Sequence, residues 1–456
     1  MARQADPTLL HEARERAAPA AAIPCPLASE GPTGPAAAEG TGPARPRPGP
    51  ARLAGTESVR HDPIQRHTML TEAVALLTEA HDHTGPTGEH RTEAALELAA
   101  TQHTAWLADG DHERLLAAER TLRALPAGTP ERHLRLGRVL LDLARAGHDT
   151  AARAAEAASE LHEGHALLEA DDAPGIRRCA ALLDLARALR LSGAPAAGTL
   201  AVLERAAGRA VDDVQRLSCR TEQARAHADA RSWPEADDAY AAAVALTGRH
   251  SPRRCELLAE WGESLLARAE TAGEGGSVEI VGRAEAVLRE AFAVSPGRSP
   301  LRARTQLMLG RALVLRFGRQ GFLPDLYESC HLLEQAVRQA PDGLTRAEAW
   351  LALGTARLTL AEHSATMPVA DAASAFETAA KEARRRSADD EPGSVTAARA
   401  LHRHGVALER MGMPGAALAA YRDARREWLA LTGRLAEVPW PEVQATRESV
   451  ARLGGP

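Results

Sequence analysis

A formal net charge of −6 over 456 residues gives this chain no concentrated basic surface, so binding to nucleic acid is not expected. Hydrophobic residues make up 45% but aromatics only 3%, so any core must be built from Leu, Ala and Val, and an Ala- and Leu-rich chain favours an all-α fold. No run of about 18 apolar residues occurs, which argues against a membrane span. The five cysteines, Cys25, Cys179, Cys219, Cys255 and Cys330, are scattered without C-x-x-C pairs. Such a set fits reduced thiols in a cytoplasmic protein better than a disulfide framework.

Residues 1–60 hold 10 of the 28 prolines, interleaved with Gly and Ala in GPTGPAAAEGTGPARPRPGPARLAG. Proline supplies no amide donor, and this stretch has few large apolar side chains to bury, so it reads as a disordered arm. Within it, TLLHEARERA is compatible with a short helix. The composition would also suit a proline-rich ligand for a partner's aromatic groove. APAAAIPCP is broken by prolines, which argues against a secretory signal.

From residue 63 to about 430 apolar residues recur at spacings of three and four, as in LLDLARAL (182–189) and LMLGRALVL (307–315), which predicts successive helices. Gly, Pro and Asp clusters such as LPAGTP, DDAPG, SPGRSP and APDG separate them, and no β pattern is present. Residues 61–215 read as degenerate helical repeats, with LRLGRVLLDLARAG (134–147) and CAALLDLARALRLSGAP (179–195) as first helices. Residues 216–430 read as regular repeats, and residues 431–456 as a capping helix and tail.

The regular repeats share one pattern. LHRHGVALERMGMPGAALAAYRDA (401–424) has Gly405, then Ala417, Tyr421 and Ala424. Ala224 is followed by Ala236, Tyr240 and Ala243 at the same offsets. Gly262 precedes Ala284, Leu288 and Ala291; Gly310 precedes Ser329, Leu333 and Ala336; and Trp350, Leu353 and Gly354 precede Ala372, Phe376 and Ala379. Positions i, i+4 and i+7 share one helical face, so small residues allow a close approach and the large one fills the space opposite the glycine. A glycine inside a helix costs about 1 kcal/mol relative to alanine, which tight packing explains. Pro234, Pro324, Pro368 and Pro414 fall near the starts of second helices, where a missing amide proton costs nothing.

This W-x2-L-G, A-x3-F-x2-A pattern resembles the tetratricopeptide repeat (TPR). The resemblance implies an all-α, right-handed TPR-like α-solenoid of about seven or eight antiparallel helix pairs. The unit at 301–337, LRARTQLMLGRALVLRFGRQGFLPDLYESCHLLEQAV, resembles the divergent repeats upstream of bacterial caspase-like CHAT domains. In that family the array is a sensor or docking platform. Only about 25 residues follow the repeats here, so the resemblance implies binding rather than proteolysis.

Searches for chemistry yield little. His81, His83 and His90, with Asp82 and Glu89, are placed on a loop, and their H-x-H-x6-H spacing is not a zinc pattern. His162, Glu163 and His165 resemble a metalloprotease helix, but the histidines are three apart rather than four and read as polar helix surface. His402 and His404 fall on different helical faces. ARRRS (383–387) beside DDE (389–391) reads as a solvated helix end. Neither a phosphate-binding G-x4-G-K-[ST] loop nor a G-x-S-x-G elbow is present. Cys179, Cys219 and Cys255 read as small core residues. No enzyme, metal or other cofactor is expected.

In a stack of helix pairs the first helices form the concave wall. Residues opposite the packed Gly or Ala are then expected in the groove: Arg225, Glu263, Arg311, Thr355 and Val406, with Glu256, Arg304, Glu348, Arg399 and His402 nearby. Their mixed charge suits a protein or peptide partner. The known TPR clamp for a C-terminal carboxylate uses Lys and Asn; Lys381 is the only lysine here, and Thr221/Arg225 and Ala259/Glu263 do not reproduce it. The expected function is a noncatalytic interaction scaffold or adaptor in a bacterial signalling or defence assembly. The alternative is a regulatory sensor for a short peptide or small ligand.

Overall fold

In a computed structural model the described residues are 63–83, 89–147, 149–249, 251–271, 278–297, 299–364, 367–385, 391–431 and 439–454. The expected arm, with its TLLHEARERA segment and the APAAAIPCP stretch, lies outside them. Eighteen α-helices and no strands are found among the described residues, and none of these helices is long and apolar enough to cross a membrane.

Two compact units divide the chain between Ala239 and Tyr240. The first contains α1 (Pro63–His83), α2 (Glu89–Asp109), α3 (His112–Arg123), α4 (Pro130–Arg145), α5 (Thr150–Ala170), α6 (Gly175–Leu191), α7 (Ala196–Arg209) and α8 (Asp213–Asp229). The division falls within α9 (Trp233–Ala245). The second contains α10 (Pro252–Thr271), α11 (Val278–Val294), α12 (Pro300–Gln320), α13 (Pro324–Gln339), α14 (Gly343–His363), α15 (Val369–Arg384), α16 (Glu391–Arg410), α17 (Pro414–Leu431) and α18 (Trp440–Gly454).

Both units are built from helix pairs that stack in chain order: α2/α3, α4/α5 and α6/α7 in the first, and α10/α11, α12/α13, α14/α15 and α16/α17 in the second. The chemistry of their ends is local. Asp212 and Asp342 accept from the amides of Gln215 and Thr345, capping α8 and α14. Pro130, Pro300 and Pro324 stand in the first turns of α4, α12 and α13, where no amide donor is needed. Gly321 ends α12 in the left-handed region (φ 69°), a conformation that favours glycine.

The pairs close as the spacing predicts. A Cβ added at Gly137, Gly262, Gly310, Gly354 or Gly405 would stand closer than 3.0 Å to the side chain of Leu161, Leu288, Leu333, Phe376 or Tyr421 respectively. Each glycine sits on a first helix and each large residue on the second helix of the same pair. The small flanking residues, such as Ala372 and Ala379 around Phe376, are fully buried. Gly137 and Leu161 show that the same packing extends into the stretch read as degenerate. The first helices of the second unit are long: α10, α12 and α14 have 20, 21 and 21 residues.

First helices of successive pairs also pack on one another: α2, α4, α6 and α8 in the first unit, and α10, α12, α14 and α16 in the second. Neighbouring second helices are bridged by arginine–glutamate pairs as well. Arg123 meets Glu156 at 2.7 Å, Arg289 holds both oxygens of Glu328 at 2.7 and 2.8 Å, and Arg384 holds Glu427 at 2.7 Å. Each unit thus has a wall of closely set first helices.

The 301–337 segment uses its charged motif residues structurally. Arg316 on α12 chelates Asp325 at 2.7 and 2.5 Å and also reaches Glu285 on α11. Asp325 is 1% exposed, so its charge is compensated by the pair rather than by water.

Cys179, Cys219 and Cys255 are buried, as expected of core residues. Burial pushes the Cys255 thiol up to about 11. The metal readings fare differently. His81 and His83 belong to α1 and His90 to α2, so these residues are helical rather than in a loop; the side chains of His83, Glu89 and His90 lie outside those described. His165 is not surface: it is 3% exposed, its Nε2 3.6 Å from Glu169, whereas His162 and Glu163 are exposed. Arg384 and Arg385 end α15 and are exposed; residues 386–390 lie outside the description.

Candidate functional site

The second unit holds a cleft of about 730 Å³ on its first-helix wall. Residues from α10, α12, α14 and α16 line it, together with Trp428 of α17 and one face of α18. Helix α18 packs on α17, as each first helix packs on the second helix before it. Its side chains are fastened to α16. Arg399 grips both oxygens of Glu442 at 2.7 and 2.9 Å, Arg452 grips Glu409 at 2.8 and 2.7 Å, and His402 Nδ1 lies 3.1 Å from Thr446 Oγ1.

Of the ten residues expected in the groove, Arg311, Glu348, Thr355, Arg399 and His402 line this one cleft, whereas Val406 packs against core residues. Glu256, Glu263 and Arg304 do not line it either. Glu256 accepts from Arg253 at 2.9 Å, and Arg304 reaches across from α12 to Glu263 of α10 at 2.6 Å. Arg225 belongs to the first unit, where it contacts Glu222 at 3.0 Å. His404 faces away from His402, toward Glu377 and Lys381, so these two histidines point to different neighbours. Among the described residues no group of three or more His, Cys, Asp or Glu side chains is arranged to hold a metal ion.

The cleft's charges balance: Arg311, Arg399 and Arg403 face Glu270, Glu348 and Glu442. Most are already engaged. Arg311 holds Glu270 through contacts of 2.7, 2.7 and 3.0 Å, joining α12 to α10, and Arg399 holds Glu442. Bidentate pairs of this kind fix the planar head groups in place. Two ionisable groups stand apart. Among the described residues Glu348 and Arg403 have no ion-pair partner within 4.0 Å. Burial raises the Glu348 carboxyl above its ordinary value, against the pull of Arg311 and Arg304. Burial, with Arg403 adding to it, lowers the His402 imidazole. Val314, Leu315, Leu351, Ala352 and Ala445 supply the apolar part of the wall, and the Thr355 hydroxyl donates to Leu351 O at 3.0 Å.

Sequence reasoning missed Glu270, Arg403, Trp428, Glu442 and Thr446. Glu270 stands one helical repeat beyond Glu263 and was within reach of the same spacing. Trp428 lies on a second helix, outside the rule used for the groove. The α18 residues were read only as part of a cap.

No known protein-family profile matches the chain, and no curated protein matches it. Solved structures similar to it include the apo quorum sensor NprR from B. thuringiensis, at 11% identity over 79% of this chain and 94% of that one, with a TM-score of 0.49. A tetratricopeptide repeat protein from Parabacteroides merdae is 13% identical over 68% of this chain and 98% of its own, with a TM-score of 0.42. Yeast Tom70 is 12% identical over 86% and 90%, with a TM-score of 0.41. By the packing of its own helix pairs, glycine against a large residue in seven-residue register with small ones, this chain has an all-α tetratricopeptide-like repeat fold.

Proposed function

We propose that the protein is a noncatalytic adaptor that binds a segment of a partner protein in the cleft of the second unit. The observation that carries this reading is the convergence of Arg311, Glu348, Thr355, Arg399 and His402, from three first helices, on one concavity with apolar walls and balanced charge. Its volume falls in the range of about 300–1,000 Å³ usual for ligand sites. Catalysis is disfavoured because the cleft's arginines and carboxylates are largely tied to one another rather than grouped as acid, base and nucleophile.

The test replaces Thr355 with a photo-crosslinking amino acid and identifies captured segments by mass spectrometry from the native host. Partner segments crosslinked at position 355, and lost on adding Arg311→Glu, support the reading. Capture that is unaffected by that change, or that arises only from exposed positions on second helices, overturns it. A second reading, a sensor for a short peptide, is favoured by one feature: α18 bounds the cleft, which suits a short occupant. A change of oligomeric state on adding the captured segment as a free peptide would favour the sensor.

A further inference from the structure

Within that reading, the cleft has its own chemical demands. Glu348 is half-buried on α14, yet the cations around it are committed elsewhere: Arg311 to Glu270, Arg304 to Glu263 and Arg399 to Glu442. A carboxylate taken partly out of water without a paired cation is unfavourable. Glu263 and Asp342 add negative charge nearby, against the larger pull of Arg311 and Arg304. Arg403, the other unpaired group, is exposed and solvated by water, so it makes no equivalent demand.

Trp428 gives an independent indication. It is 1% exposed, lines the same cleft, and its indole Nε1 has no acceptor among the described residues. Indole can only donate, so the group that suits it is an oxygen acceptor. A peptide backbone offers one at every residue. The aliphatic stem of a basic side chain also suits the Val314, Leu315 and Leu351 wall.

We infer that the cleft selects a peptide segment bearing a Lys or Arg side chain, whose cationic head pairs with Glu348 while a carbonyl of the segment accepts from the Trp428 indole. This rests on the cleft being the partner site, and it specifies the partner's chemistry.

The test uses the full chain and fluorescein-labelled pools of blocked heptapeptides with a fixed central residue: arginine, its neutral isostere citrulline, or glutamate. Binding is read by fluorescence polarisation. The arginine pool should bind about tenfold more tightly than the citrulline pool, the scale of one well-formed charge pair. Glu348→Gln should bring the two pools level, with its melting temperature confirming the fold. Trp428→Phe should weaken both pools and leave their ratio unchanged. Equal binding of arginine and citrulline pools, a preference for glutamate, or a ratio indifferent to Glu348→Gln overturns the inference while leaving a peptide-binding cleft intact. Binding of none of the pools overturns the inference, and the photo-crosslink at position 355 then decides separately whether the cleft is a partner site.

Discussion

Tyr421 lies so close to Gly405 that a methyl group added to the glycine would stand 2.7 Å from the ring's Cε1 and 2.8 Å from Cδ1. A ring in a packed core can yield only by moving its neighbours. Gly405→Leu should therefore destabilise the α16/α17 pair by about 1–3 kcal/mol through overpacking. Urea denaturation checks this, and an unchanged midpoint would remove the glycine from the packing scheme.

Asp325 is expected to matter for folding rather than binding. Asp325→Asn keeps its shape but deletes the charge that Arg316 chelates, leaving Arg316 with Glu285 alone. A loss of about 1.5–3 kcal/mol is expected, the usual range for a hydrogen bond to a charged group. Thermal melting reads the effect, and added salt should not rescue it, because the pair is screened little by solvent.

Acid stability should depend on Glu222. Burial works to raise this carboxyl, but Arg187, Arg225 and Arg190 together hold it below its ordinary value. A carboxyl with a depressed folded pKa contributes stability above its unfolded value, and that contribution is lost as pH falls through the folded one. The first unit should accordingly lose stability below about pH 4.3, and Glu222→Gln should flatten that part of the pH profile while lowering stability at pH 7. Urea midpoints measured from pH 3 to 7 test both.

Two buried thiols should be silent in the native protein. Burial pushes both Cys255 and Cys330 up to about 11, so neither forms appreciable thiolate at pH 8. Mass-spectrometric mapping after iodoacetamide should find both unmodified in buffer and modified in guanidinium. Labelling at either in buffer would contradict their placement.

Helix α18 should depend on its tether. Arg399→Ala breaks the bidentate contact with Glu442, a partly exposed pair worth about 0.2–1 kcal/mol. Hydrogen exchange should then quicken over residues 440–454 and stay unchanged in α10 and α11.

The fold was legible because the small–large–small triplet on each second helix keeps a fixed spacing. A glycine on one helix and a large residue on the next, as with Gly354 and Phe376, are set by helical geometry and chain order alone. The site was only half legible. Arg311, Glu348, Thr355, Arg399 and His402 follow from the wall facing away from the packed glycines. Glu442, however, meets Arg399 across 43 residues, and no periodicity distinguishes that glutamate from others on a polar face. Trp428 was hidden for another reason: burial and a missing acceptor are properties of three-dimensional packing, not of spacing.

One asymmetry within each unit bears on how a bound segment would be held. Both sides carry guanidinium–carboxylate links, Arg311–Glu270 on one and Arg289–Glu328 and Arg384–Glu427 on the other, but only the first helices also pack directly on one another. Ions in solution weaken such links on either side but leave the direct helix packing largely untouched. The front of each unit therefore keeps its direct packing when salt loosens the links, while the back relies on the links themselves.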